Sequence, residues 1–155
     1  MTARMNITQV APDAFRALQS LQQAIDASGV DPRLLELVRV RASQVNGCAF
    51  CLDMHTKDAR ALGETEQRLY LLAGWREAPV FTPEERAALA LTDAVTQIGQ
   101  AGVPDDVWAA AAGAFGTTKV GALLVAISAV NAWNRLAIAT HAPAGHYVSR
   151  YAAAR

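Results

Sequence analysis

The chain has 155 residues, of which 52% are hydrophobic and 18% are charged, and its 14 basic residues balance its 14 acidic residues. This length predicts a single domain, 1–155, and a net charge of zero without a lysine or arginine cluster argues against nucleic-acid binding. The small share of charged residues suggests that part of the surface is buried between subunits, so we expect a homo-oligomer.

Apolar residues at helical spacing and helix-ending residues predict seven helices: 12–27, 32–46, 48–62, a short one within 64–74, one within 82–102, then 104–116 and 118–140. Thr82 and Glu85 have capping-box spacing, with Pro83 at the first helical position, and Gly63 follows the third helix as a stop. No alternating strand pattern occurs, so the predicted fold class is all-α. The last residues, 142–155, are expected to form an arm that is loose or docks on a neighbour.

Targeting features give a second set of expectations. The beginning, MTARMNITQVAPDAF, lacks an apolar core of signal-peptide length, which argues against secretion by that route. The longest uncharged run, 120–134, is shorter than the ~20 residues that a membrane helix needs, so we expect a buried central helix there. We therefore expect a cytoplasmic protein that does not span a membrane. Because stable structural disulfides are rare in the cytoplasm, the two cysteines are expected to be catalytic or metal-binding.

The sequence contains one internal echo. A shift of 85 positions places four residues on identical ones, namely Val40, Ser43, Val45 and Asn46 on Val125, Ser128, Val130 and Asn131. Four matches in a helix-rich composition can arise by chance, and they would also fit an ancient duplication of a helical hairpin.

Both cysteines lie in the segment NGCAFCLDMH, where Cys48, Cys51 and His55 are spaced by three and then four residues. Residues at these spacings share one face of a helix, and a CxxC pair at a helix start brings two sulfurs within bonding reach. Cys48 lies at the predicted helix N-terminus, where the helix dipole favours a thiolate. Cys51 is one turn deeper and needs a base, which His55 at i+4 can provide.

A base also needs a partner that orients it. Glu36 precedes Cys48 by twelve residues and would reach His55 if the Asn46-Gly47 bend folds the preceding helix back. On the residues alone, the favoured interpretation of Glu36 is a solvated side chain near Arg33 and Arg39.

The segment 36–64, ELVRVRASQVNGCAFCLDMHTKDARALGE, resembles the core motif of AhpD-like alkylhydroperoxidases in the carboxymuconolactone decarboxylase family. The motif is a glutamate, eleven intervening residues and then CxxCxxxH, and NAWNR at 131–135 is also similar to family sequence. The resemblance implies an all-helical oligomer, a trimer or hexamer, without a cofactor or metal.

The resemblance also implies a role for each motif residue. Cys51 matches the peroxidatic cysteine, which a hydroperoxide oxidises to a sulfenic acid, and Cys48 matches the resolving cysteine, which forms a disulfide with it. His55 and Glu36 match the relay that takes the proton from Cys51. An external dithiol, such as a dihydrolipoyl group, would regenerate the enzyme. One departure is Phe50, which stands where the best-known members have a histidine, and it leaves the substrate and the reductant open.

Other interpretations stay open at this point. The cysteines could be two buried hydrophobic residues, or they could bind zinc together with His55 and Glu36, although one continuous helix makes a poor tetrahedral cage. The alternatives to a peroxidase are a thiol–disulfide oxidoreductase, a redox sensor, or a decarboxylase-type enzyme, whose branch typically lacks the CxxC pair. Trp108, Trp133 and Phe115 are expected in the core or at subunit contacts, with a role in lining the substrate site as the minority interpretation.

Overall fold

The computed structural model describes residues 2–152, and within them all regular structure is helical, as predicted. The elements are α1 (Ile7–Val10), α2 (Pro12–Asp26), α3 (Pro32–Asn46), α4 (Ala49–Ala61), α5 (Glu66–Leu71), a 3-10 helix (Leu72–Gly74), α6 (Pro83–Thr96) and α7 (Asp105–Thr140). The short α1 was not predicted, and α6 ends at Thr96, well before the end of the predicted range 82–102.

The predicted boundary between the last two helices is a kink inside α7. Gly116 has φ 69° and ψ 170°, a conformation that glycine adopts without steric cost, and the helix resumes after it. By length and composition α7 is apolar enough to cross a membrane. Its second part nevertheless buries Leu123, Ile127 and Val130 against the rest of the domain, as expected for a central helix at 120–134.

The predicted caps are present. The Thr82 hydroxyl accepts from the backbone of Glu85 while the Glu85 carboxylate accepts from the backbone of Thr82, which completes the capping box. Gly47 ends α3 in the left-handed region, at φ 71°. The Cys48 backbone N–H then bonds to the Ser43 carbonyl at 3.0 Å. This bond fixes the turn that presents Cys48 at the start of α4.

Helix α3 lies at the centre of the domain and packs against α4, α6 and α7. Leu35 and Val38 enter a hydrophobic cluster shared with α2, α6 and α7, whereas Leu37 and Val40 enter a second one with α4, α5 and α6. Because two of its sides are apolar and buried, the polar side chains that remain on α3 must find partners inside the protein.

The C-terminal segment 142–152 lies against α4 of the same chain, so the predicted arm is not loose. The Gly145 backbone N–H donates to Asp53 at 2.9 Å, and the Lys57 ammonium donates to the Tyr147 carbonyl at 2.9 Å. The remaining arm residues, 153–155, lie outside the described part of the chain. Docking of this segment on a neighbouring subunit stays a prediction.

Candidate active site

Cys48 and Cys51 form a disulfide across the first turn of α4, with their Cα atoms 5.3 Å apart. Cys48 is the N-cap residue, and its Sγ accepts from the Cys51 backbone N–H at 3.3 Å. Each cysteine is 1% exposed. The two sulfurs are therefore within bonding reach, as the CxxC spacing predicts, and the Cys48 sulfur lies where a helix N-terminus stabilises negative charge.

A cavity of about 710 Å³ opens onto Cys51 rather than Cys48. Its apolar wall comes from several elements and includes Ile7, Phe15, Phe50, Met54, Trp133, Leu136 and Pro143. His55 and Arg39 lie among its polar lining residues. A molecule in this cavity would meet the sulfur of Cys51, the base and an apolar surface together.

Glu36 and His55 form a buried pair at this cavity. The carboxylate is fully buried, and its Oε2 lies 2.8 Å from His55 Nδ1. Because an ionised carboxylate only accepts hydrogen bonds, Nδ1 carries the proton, and Nε2 is left to act as the base. The interpretation of Glu36 as a solvated residue is thus wrong, since α3 places it between α4 and the C-terminal segment.

The charge of Glu36 is supported by its neighbours. Burial alone would raise the pKa of the Glu36 carboxyl, but the hydrogen bond from His55 and the charge of Arg39 outweigh it and lower that pKa. Arg39 donates from Nη1 to Glu36 Oε1 at 2.6 Å and from Nη2 to Asp26 Oδ1 at 2.6 Å. Arg150 donates to the other oxygen of Asp26 at 2.8 Å. Glu36 therefore remains ionised as the orienting partner of His55.

Residues beyond the predicted set also meet here. Asp58, one turn after His55 on α4, is 2% exposed and accepts from the hydroxyls of Tyr147 and Ser149. Arg150 reaches within 3.7 Å of both Glu36 and Asp58. No local pattern in the sequence marked these residues, because their partners lie about ninety positions away.

Whether this site could bind a metal ion depends on which of its possible ligand atoms already accept hydrogen bonds. Glu36, His55 and Asp58 bring possible ligand atoms within 4.8 Å of one another. However, both Glu36 oxygens accept hydrogen bonds from His55 and Arg39, and both Asp58 oxygens accept from Tyr147. The residues fit an internally satisfied charge cluster better than a cation site. The zinc set with both cysteines would also need two thiolates in place of the disulfide.

An asparagine network holds the bend before Cys48. Asn46 Nδ2 donates to Asn131 at 2.9 Å and to Asn134 at 2.8 Å, and Asn134 in turn donates to Ser43 at 3.1 Å. Asn131 and Asn134 belong to the NAWNR segment, so its polar residues tie α7 to the end of α3. Ser43 therefore has a structural role at this bend.

The aromatic residues separate into different roles. Trp133 lines the cavity, which agrees with the minority interpretation, and packs edge-to-face on Phe15 with ring centroids 5.3 Å apart. A subunit contact at Trp133 stays a prediction. The ring of Trp133 contacts Phe15 of α2 and lines the same cavity as Cys51. Phe115 packs against the core, as expected, whereas Trp108 is 42% exposed. A subunit contact at Trp108 stays a prediction.

Residues 12–94 match the model of the carboxymuconolactone decarboxylase family. The chain belongs to this family. An uncharacterized protein of Bacillus subtilis, YdfG, is 38% identical over 139 residues, which are 90% of this chain and 95% of that protein.

Two solved structures share the fold. The first is ATU0492 of Agrobacterium tumefaciens, a protein of unknown function described as a candidate antioxidant defence protein AhpD. It is 40% identical with a TM-score of 0.90, over 94% of this chain and 100% of that chain. The second, from Ralstonia eutropha, is described as an alkylhydroperoxidase AhpD core and uncharacterized peroxidase-related protein. It is 22% identical with a TM-score of 0.75, over 90% of this chain and 74% of that chain, and shows the fold alone. The chain is therefore an AhpD-like member of the family.

Proposed function

We propose that the protein is a dithiol-dependent peroxidase that reduces organic hydroperoxides through Cys51, Cys48, His55 and Glu36. One observation carries the proposal: Cys51 faces an apolar cavity, one helical turn before a histidine held by a buried glutamate. A structural cysteine pair would need neither the cavity nor the buried Glu36–His55 pair.

The reaction begins with the reduced dithiol. The Cys51 thiol transfers its proton to Nε2 of His55, and Glu36 stabilises the imidazolium through Nδ1. Burial disfavours a negative charge on the Cys51 sulfur, and the positive imidazolium of His55, held by Glu36, compensates for that cost.

The thiolate then attacks the terminal oxygen of the hydroperoxide. The S–O bond forms, the O–O bond breaks, and the alkoxide takes the proton from the imidazolium to leave as an alcohol. The peroxide is reduced by two electrons, and Cys51 becomes a sulfenic acid.

Cys48 resolves this intermediate. Its sulfur attacks the Cys51 sulfenic acid, the S–O bond breaks, and water leaves with the thiol proton, giving the disulfide that the structure contains. An external dithiol, for which dihydrolipoamide is the expected type, then attacks from the cavity at Cys51, and Cys48 leaves as a thiolate. The Cys51 backbone N–H at 3.3 Å supports that leaving group. The second thiol of the reductant then displaces Cys51 as a thiolate, which restores the enzyme dithiol and leaves the reductant as a disulfide.

The apolar wall favours an organic hydroperoxide over hydrogen peroxide. Phe50 replaces a polar histidine of the best-known members with an apolar ring, and it lines the cavity beside Met54 and Trp133. Burial of an alkyl or aromatic group against such side chains stabilises binding by about 25 cal/mol per Å² of apolar surface. Hydrogen peroxide has no such group.

The expected homo-oligomer remains part of the proposal. Val125 and Ile138 on α7 are 42% and 41% exposed, and a subunit contact would bury such apolar side chains. Sedimentation equilibrium should give the mass of a trimer or hexamer, and a monomer at micromolar concentration would contradict this part.

The test of function uses the reduced protein and cumene hydroperoxide. One equivalent should remove two protons by intact mass and give a Cys48–Cys51 disulfide peptide, and dihydrolipoamide should then support repeated peroxide consumption. A disulfide without turnover under any dithiol would favour a redox sensor. A protein that is not oxidised at all would overturn the proposal.

A further inference from the structure

Asp58 is a buried carboxylate that the proposed reaction does not use. An oxygen of Asp58 lies within 4.8 Å of ligand atoms of both Glu36 and His55. Its hydrogen-bond donors are neutral: the Tyr147 hydroxyl reaches both oxygens at 3.1 Å, and the Ser149 hydroxyl reaches Oδ1 at 2.6 Å. Asp58 is therefore held as an acceptor by neutral donors, and its ion-pair partner, Arg150, lies at 3.7 Å, beyond hydrogen-bond distance.

The nearest cation to Asp58 comes from the C-terminal segment. Arg150 Nε lies 3.7 Å from Asp58 Oδ2, and Arg150 Nη2 lies 3.7 Å from Glu36 Oε1. The short contact of Arg150, at 2.8 Å, goes instead to Asp26. Arg150 thus lies over the Glu36–His55 pair at a distance where its charge acts without a direct bond.

The charges around His55 are contributed by four parts of the chain: Asp26 of α2, Glu36 and Arg39 of α3, Asp58 of α4, and Arg150 of the C-terminal segment. Three carboxylates and two guanidinium groups leave one negative charge, which an imidazolium at His55 cancels. The two phenols nearby stay neutral, because burial above all raises the pKa of Tyr147 to about 12 and also raises the pKa of Tyr151.

We propose that Asp58 and Arg150 are positioning residues of opposite sign, which set how readily His55 holds the proton of Cys51. The proposal rests on the proposed role of His55 as the proton acceptor. Asp58 favours the imidazolium, and Arg150 opposes it while it holds the C-terminal segment over the site. Asp58 follows His55 by three residues but Cys51 by seven, so its charge acts more strongly on the imidazolium than on the thiolate.

The structure therefore predicts effects of opposite direction. Asp58→Asn removes a negative charge beside the imidazolium, so less Cys51 is thiolate at neutral pH. Arg150→Gln removes a positive charge, so more Cys51 is thiolate. If the two substitutions acted only by detaching the C-terminal segment from α4, both variants would change the thiolate fraction of Cys51 in the same direction.

The experiment measures the iodoacetamide alkylation rate against pH in a Cys48→Ser background, where Cys51 is the one remaining cysteine. This readout needs no peroxide, so it is independent of whether the protein proves to be a peroxidase. Asp58→Asn should move the inflection of the profile upward by about one pH unit and slow alkylation at pH 7 about tenfold. Arg150→Gln should move the inflection downward.

Asp53→Asn is the matched control. Asp53 lies on the same helix and accepts from the C-terminal segment, at the backbone of Gly145 and Tyr147, but it is outside the charge cluster of His55. Its profile should stay unchanged. Equal shifts in Asp53→Asn and Asp58→Asn, or shifts of Asp58→Asn and Arg150→Gln in one direction, would overturn the proposal.

Folding is checked by thermal melting of each variant. If Asp58→Asn does not fold, the proposal is tested by the inflection of the alkylation profile of Arg150→Gln alone. The Arg150 side chain is 42% exposed, so its loss is compatible with the fold. A downward shift supports the proposal, and no shift or an upward shift overturns it.

Discussion

Asn46 donates a hydrogen bond of 2.9 Å to Asn131, which lies 85 positions later in the chain. These are two of the residues that the internal echo aligns, and their contact joins the end of α3 to the part of α7 that follows the kink. The contact has a clear consequence for the site, because it fixes the turn that carries Cys48. The duplication itself stays a prediction.

The asparagine network should contribute measurably to stability. Asn134 is fully buried and bonds to both Asn46 and Ser43, so Asn134→Ala should lower the free energy of unfolding by about 1–3 kcal/mol. Urea denaturation gives the value. Ser128→Ala is the control on the same helix, since its exposed hydroxyl bonds only within α7, and it should change stability by less than about 0.5 kcal/mol. Equal effects of the two changes would contradict the role of the network.

Glu36→Gln keeps the size of the side chain but removes the charge that stabilises the His55 imidazolium. We expect the rate of Cys51 oxidation by cumene hydroperoxide to fall about 10²-fold at pH 7, in the range for loss of general-base assistance. Stopped-flow measurement in excess peroxide gives this rate. Glu64→Gln is the control, because Glu64 is also buried and paired, with Arg68 at 2.8 Å, but in another part of the domain. Its oxidation rate should match that of the wild type.

The apolar wall should determine selectivity among peroxides. Trp133→Ala should lower kcat/KM for cumene hydroperoxide about tenfold, because the lost aromatic contact is worth about 1–1.5 kcal/mol. The value for hydrogen peroxide should change little. Trp108→Ala removes an exposed tryptophan of the same helix and should leave both values unchanged. A loss for hydrogen peroxide as large as that for cumene hydroperoxide would show that Trp133 does not act through substrate contact.

The lowered pKa of Asp93 predicts how the stability of the protein depends on pH. Burial would raise its pKa, but hydrogen bonds from Arg41 and Arg76 outweigh it and lower the pKa below its usual 3.8. A lowered pKa means that Asp93 stabilises the fold above pH 4 and that this contribution is lost as the pH falls below 3.8. Asp93→Asn should therefore cost about 3 kcal/mol at pH 7, in the range for breaking a buried ion pair, and less at pH 3. A cost that does not depend on pH would contradict this account.

The sequence predicted those features that depend on local patterns. The helices around Gly47, Gly63 and Thr82 follow from backbone preferences of short segments, and the CxxC spacing alone brings two sulfurs together. The link from Glu36 to His55 needed the family resemblance, because it depends on how α3 packs against α4.

Other parts of the site could not be predicted from patterns in the sequence. Asp58 pairs with Tyr147 and Ser149 across about ninety residues, and nothing in a helical repeat distinguishes it from a solvated aspartate. The place of Trp133 could not be predicted either, because an apolar residue on a central helix can face the core or a cavity. Long-range packing decides both cases.

The central claim is that Cys51, rather than Cys48, attacks the peroxide. Its most direct test is to oxidise the reduced Cys48→Ser and Cys51→Ser proteins with one equivalent of cumene hydroperoxide in the presence of dimedone, followed by peptide mass mapping. The account predicts a dimedone adduct on Cys51 in the first protein and no adduct on Cys48 in the second. An adduct on Cys48 with none on Cys51 would contradict it.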